Sequence, residues 1–274
     1  MLVLYAYYKH DGGSTLKKSE QELSFSIQKA YDLYHYLLIL IVDIADYALS
    51  RIEIARQKII PTPEDLNPNT KFVDNLVIRQ IRSNNQLLRY LQEKKLSWVN
   101  YPELIKSLYQ YILASDDYKN YMNSGESSYA EDKNMISAVY KNCIADFDPL
   151  YQNLEEQSIY WNDEPEFIIG IILKTLKKFK EQDGEKAALM PLYTNAEDEE
   201  FPKKLLRKVI LNYQEYLPLI EKFSKNWEID RIAFLDTLLM QMAIAEAVEF
   251  TSIPVKVTLN EYLEIAKYYS TSKS

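Results

Sequence analysis

The chain has 274 residues, 47% of them apolar, and a formal net charge of −8. That is enough apolar material for one large core or two modest ones, and the acidic balance argues against a general nucleic-acid binder, whose phosphate affinity comes from clustered Lys and Arg. Five glycines are too few for sheets joined by tight hairpins, and the single Cys143 excludes an internal disulfide framework, so the composition points to an all-α protein, a helical bundle.

Residues 2–9 are apolar and aromatic, and Asp11-Gly12-Gly13 breaks that run. Ser19 and Glu22 have capping-box spacing and are expected to open a long helix to Lys58, ended by Pro61 and Pro63. Its strongest apolar stretch, Leu33 to Val42, holds ten residues before Asp43 and Asp46. A bilayer span takes about 20, so this reads as a buried helix. With no basic leader and cleavage site at the start, the expectation is no membrane and a cytoplasmic location. Helical periodicity resumes from Phe72 to Leu96 and again from Pro102 to Leu113. Residues 115–131 read as a polar loop flanked by short helices. Helices are then expected at 132–145, 147–157 and 165–180, followed by an acidic linker over 181–200 without clear periodicity. Further helices are expected at 201–213, 215–225, 228–249 and 256–270. The division drawn is an N-terminal helical region, 1–198, and a compact C-terminal bundle, 199–274, with residues 1–10 packing on that bundle.

Catalytic constellations fail on inventory. Only His10 and His35 are present, and Asp32 with His35 is the one pair at the spacing a di-iron bundle uses twice. Zinc clusters, glycine-rich phosphate loops and nucleophile elbows are absent. Glu246 and Glu249 have the spacing of any acidic helix face, and Cys143 lies in an apolar run that suits a buried thiol. No cofactor and no enzymatic activity is expected. The tyrosines at helical spacing, among them Tyr31, Tyr34, Tyr109, Tyr140 and Tyr213, read as core or boundary packing. Two basic sets, Lys174/Lys177/Lys178/Lys180 and Lys203/Lys204/Arg207/Lys208, each read as a solvated helix face.

Residues 227–267 carry a more specific pattern. Ile232, Leu235, Leu239, Met242 and Ala243 form an apolar stripe with Asp236 and Gln241 nearer its edge. A proline stop follows, then Thr258 or Asn260 near a helix start with Glu261 in its first turn. Trp227, Asp230-Arg231-Ile232, Asp236, Glu246, Ile253-Pro254-x-Lys256-Val257, Asn260-Glu261 and Ala266-Lys267, together with Leu4 to Lys9 (LYAYYK), resemble the NusB family of transcription antitermination factors. The resemblance implies a non-enzymatic RNA-binding factor. It would pair with the ribosomal protein NusE, bind boxA RNA and join the RNA polymerase antitermination complex on ribosomal RNA operons. Carried over residue by residue, Asp236, Asp230 and Tyr5 would face NusE, and Lys256, Lys267, Lys273 and Lys9 would contact RNA. Trp227, Asn260 and Glu261 are read as structural. The family's arginine-rich start and its closing FxNGxLD helix have no counterpart between Met1 and Ser274, so both ends read as truncated. The long stretch between LYAYYK and the C-terminal bundle has no assigned counterpart either. A helical protein-interaction scaffold acting through residues 15–198, with no RNA role, is the alternative.

Overall fold

The computed structural model describes residues 1–9, 15–125, 127–223 and 233–269, and every regular element among them is a helix. The chain forms two compact units: a terminal unit of residues 1–27 and 193–274, and a central unit of residues 28–192.

The central unit is organised by α2 (Leu16–Arg56). Leu33, Tyr34, His35, Tyr36, Leu37, Leu38, Leu40, Ile41 and Val42 are buried, so this stretch of α2 is covered on every face rather than along one stripe. Around it lie α3 (Pro63–Leu66), α4 (Leu76–Arg82), α5 (Asn85–Lys94), α6 (Pro102–Ala114), α7 (Asp116–Asn123), α8 (Tyr129–Ala138), α9 (Asp148–Gln157) and α10 (Pro165–Lys178). A π-helical turn, Val139–Ile144, continues α8 and buries Cys143. The large aromatics supply polar handles as well as area. Trp98 stacks on Tyr36 at 3.8 Å, and its Nε1–H donates to the Tyr36 carbonyl at 2.8 Å. Trp161 donates to the Lys29 carbonyl, and the Tyr140 hydroxyl reaches the Leu37 and Leu38 carbonyls. At the start of α4, the buried Asp132 carboxylate accepts from the Leu76 N–H at 2.7 Å and the Tyr121 hydroxyl at 2.6 Å, while Asn75 caps the next two amides.

Several expected boundaries move, each for a local reason. The long helix starts at Leu16, where the Thr15 hydroxyl accepts from the Lys18 N–H, and Ser19 is buried inside it, so no capping box forms at Ser19–Glu22. The Phe72–Leu96 run is two helices. Asn84 breaks it by capping α5 through the Leu87 N–H and giving its side-chain amide to the Ala187 carbonyl at 2.8 Å. About half of the expected loop at 115–131 is α7, which turns Tyr121 into the core. The first half of the expected 181–200 linker is a fixed strap. It contains a 3-10 segment, Glu181–Lys186, with Gly184 at φ +48°, and it buries Ala187 and Leu189. The Tyr31 hydroxyl donates to the Met190 carbonyl and the Met190 N–H donates to the Tyr34 hydroxyl. Side chains from distant helices hold this strap, so it needs no periodicity of its own.

His35 is fully buried and stacks on Tyr90 at 3.7 Å. Its Nδ1–H donates to the Tyr31 carbonyl at 2.9 Å, which leaves Nε2 as a bare acceptor without a partner. Its neighbour Asp32 accepts from the Tyr90 hydroxyl and pairs with Lys29, and the described residues contain no cluster of three or more groups that could hold a metal ion. Burial lowers the His35 pKa from 6.5 to about 4. The unfolded chain therefore takes up a proton below pH 6.5 that the native state refuses, and stability is lost as pH falls towards 4. Asp43, raised to about 6 by burial and then by Asp46, acts with the opposite sign over an overlapping range. The test is therefore the difference between wild type and His35→Phe. The variant should gain about 2–3 kcal/mol on the wild type between pH 7 and pH 4.5, measured by denaturant unfolding. Parallel pH profiles would show that His35 is not held neutral.

Candidate partner and nucleic-acid interface

The terminal unit comprises α1 (Leu2–Lys9), the first turns of α2, α11 (Ala196–Leu211), α12 (Tyr213–Phe223), α13 (Phe234–Glu249) and α14 (Val255–Tyr269). A helix as short as α1 is marginal alone, so packing must hold it. Leu4 is buried with Leu205, Leu206, Val209, Tyr216, Leu238 and Ala245, and Val3 and Tyr8 lie against the same cluster.

The neighbouring face of α1 carries Tyr5 and Lys9 one turn apart. The Tyr5 ring lies 5.8 Å from that of Phe234, and Lys9 Nζ sits 4.6 Å over the same ring. Tyr8 completes the group between Tyr213 at 4.7 Å and Phe234 at 6.3 Å, its hydroxyl pKa pushed up chiefly by burial. Phe234 opens α13 and Asp236 stands in the first turn, where the helix dipole favours a carboxylate. One Asp236 oxygen, Oδ2, is buried without a hydrogen-bond donor. Three of the expected contact residues, Tyr5, Lys9 and Asp236, thus belong to α1 and the start of α13, two elements that meet at Phe234. Nothing in the sequence reading singled out Phe234. The available signal was an aromatic two positions before the marked Asp236.

Lys256 and Lys267 are both exposed on α14. Their separation of eleven residues is close to three helical turns, so they share a face, and Lys267 pairs with Glu264 at 2.5 Å. Leu259 and Leu263 are exposed beside them. Asp230 and Lys273 lie outside the described residues, as do Trp227 and the start of the helix expected at 228–249.

Two carboxylates tie α13 to its neighbours. Glu246 is buried and accepts from the Thr258 hydroxyl at 2.8 Å and the Tyr262 hydroxyl at 3.1 Å, both on α14. Glu249 pairs with Lys208 of α11 at 2.7 Å and accepts from Asn212. Their spacing, unremarkable in the sequence, serves two different helices. Thr258 is accordingly a buried link within α14 rather than its cap, because that helix starts at Val255, and Glu261 falls beyond the first turn. Gln241 is a further correction. It is not at the edge of the stripe but 0% exposed, and neither its Oε1 nor its Nε2 has a partner.

These two buried polar side chains should respond to mutation with opposite signs. Glu246→Ala strands two hydroxyls and should cost about 2–4 kcal/mol, while Gln241→Met removes an unsatisfied amide at similar volume and should stabilise by about 1–2 kcal/mol. Thermal and urea unfolding read both changes, and destabilisation by Gln241→Met would mean that the amide has a partner.

The NusB family model matches residues 169–274. A transcription antitermination protein NusB from Salinibacter ruber is 36% identical over 109 residues, covering 38% of this chain and 68% of that relative. One of the same name from Caldicellulosiruptor saccharolyticus is 35% identical over 103 residues, 38% of this chain and 74% of the relative. Another, from Chloroherpeton thalassium, is 45% identical over 75 residues, but these span only 27% of this chain and 36% of the relative. No solved structure matches the chain. No described helix is long and apolar enough to cross a membrane. On the similarity to relatives covered over more than two thirds of their length, the chain belongs to the NusB family.

Proposed function

We propose that this protein is a non-enzymatic, cytoplasmic transcription antitermination factor. In this reading the terminal unit binds NusE through Tyr5 and Asp236, with Asp230 shortly before Asp236 in the chain. Lys9, Lys256, Lys267 and Lys273 contact boxA RNA, and the assembly joins the RNA polymerase antitermination complex during ribosomal RNA transcription. The observation that carries the reading is the meeting of α1 with the start of α13. It gathers an exposed tyrosine and a lysine around Phe234, the residue that opens the turn bearing Asp236. That turn holds a carboxylate oxygen that lacks a donor. A partner supplying an N–H or a cation to the half-buried Asp236 carboxylate would gain from the helix dipole at that end of α13. The family membership and the names of the relatives support the same role.

The scaffold alternative draws support from the separate core of residues 28–192. Mixing the full chain with purified NusE and labelled boxA RNA separates the two. A NusE complex at micromolar concentration is expected, with RNA affinity that rises when NusE is present. Asp236→Lys should weaken NusE binding by about tenfold or more. Absence of any NusE complex would sink the proposal, and an unchanged affinity in the variant would remove Asp236 from the interface.

A further inference from the structure

Two lysine-rich helices stand out in the sequence, and the structure separates them. On α11 two of the four cations are engaged: Arg207 pairs with Glu20, and Lys208 pairs with Glu249 at 2.7 Å. On α10, Lys174, Lys177 and Lys178 are exposed, and no ion pair joins them to a carboxylate among the described residues. Lys178 Nζ reaches only the Met190 sulfur, at 3.4 Å.

The stripe these lysines occupy has other unusual members. Phe167, Ile171, Lys174 and Lys178 recur at steps of four, three and four, so they share one face of α10. Phe167 is 63% exposed, although Ile168, Ile169, Ile172 and Leu176 of the same helix are buried. Gly170 lies beside the stripe in the helix interior, where glycine weakens a helix relative to alanine. A Cβ placed there would meet nothing within 4 Å, so packing within the chain does not require the glycine. Complementing the helix dipole accounts for Lys177 and Lys178 in the last turn. It accounts for neither Lys174, nor the exposed ring, nor the bare backbone.

We propose that this face of α10 binds single-stranded RNA. An exposed phenyl ring gives a base a surface to stack on, Lys174 and Lys178 meet phosphates with Lys177 on the flank, and Gly170 lets the strand approach the helix closely. This is the combination that sequence-tolerant single-strand binding uses. A helix that lay on an anionic membrane would turn a broad apolar face outward, whereas Ile168, Ile169 and Ile172 of α10 are buried in the core. The inference rests on the RNA-factor reading above, and it adds a contact surface in the central unit, apart from the residues assigned on α1, α13 and α14.

The test measures binding of the full chain to a short fluorescein-labelled single-stranded RNA of mixed sequence without boxA, by anisotropy across a salt series. Lys174→Glu combined with Lys178→Glu should weaken binding about tenfold or more and lower the salt slope by about 1.4. Phe167→Ala should weaken it severalfold. Gly170→Gln should raise the thermal midpoint while weakening RNA binding, an opposition that a purely structural glycine would not produce. The paired substitution Lys256→Glu and Lys267→Glu on α14 runs in parallel. Wild-type binding by all α10 variants, alongside loss in the α14 pair, overturns this proposal and leaves the earlier reading standing. Loss in the α10 variants alone supports it and takes the RNA contact away from α14. No RNA binding by the wild type, or binding to phosphatidylserine vesicles in its place, overturns it.

Discussion

The terminal unit exists because one apolar core is assembled from segments some two hundred positions apart. Leu4 is buried among Leu205, Leu206, Val209 and Leu238, so the first helix of the chain has no stable form until the last four have been made. Everything placed on α1 inherits that constraint. Tyr5 and Lys9 reach Phe234 only because Leu4 and Tyr8, on the adjoining face, fix the roll of the helix. A contact of this range carries a large loop-closure entropy, which residues 28–192 offset by folding around a core of their own.

That second core shows how much pattern alone can convey. The run from Leu33 to Val42 was legible as a buried helix because its apolar residues fall on every face, and a bilayer span would need twice the length. Tyrosine at helical spacing was legible as packing, and Tyr34 and Tyr140 are indeed buried. Their hydroxyl partners were not legible. Tyr140 bonds carbonyls about a hundred positions away, and Tyr34 and Tyr31 hold the strap at Met190. Asn84 likewise reads as an ordinary polar residue until its two bonds, one local and one to Ala187, are seen to break a helix and fasten a turn. Periodicity reports which face is apolar. It is silent on which distant backbone group a side chain will satisfy.

The candidate site repeats this division on α13. Its apolar positions were visible, and so was Asp236 as a marked acid. The three polar fates along the helix were not. Glu246 is buried with two hydroxyl donors, Gln241 is buried with none, and Asp236 leaves one oxygen unsatisfied in the first turn. Nothing in the local sequence separates these cases, because each depends on what α1, α11 and α14 bring to that turn. Glu246 closes the α13–α14 hairpin from inside through Thr258 and Tyr262.

The central claim is that α1 and the opening turns of α13 form one interface, the surface proposed for NusE. Hydrogen–deuterium exchange of the full chain, with and without NusE, tests it most directly. The account predicts that amides of residues 2–9 and 234–240 gain protection together on adding NusE, while those of 28–192 change little. Protection confined to residues 28–192, with α1 and the start of α13 unaltered, would contradict it.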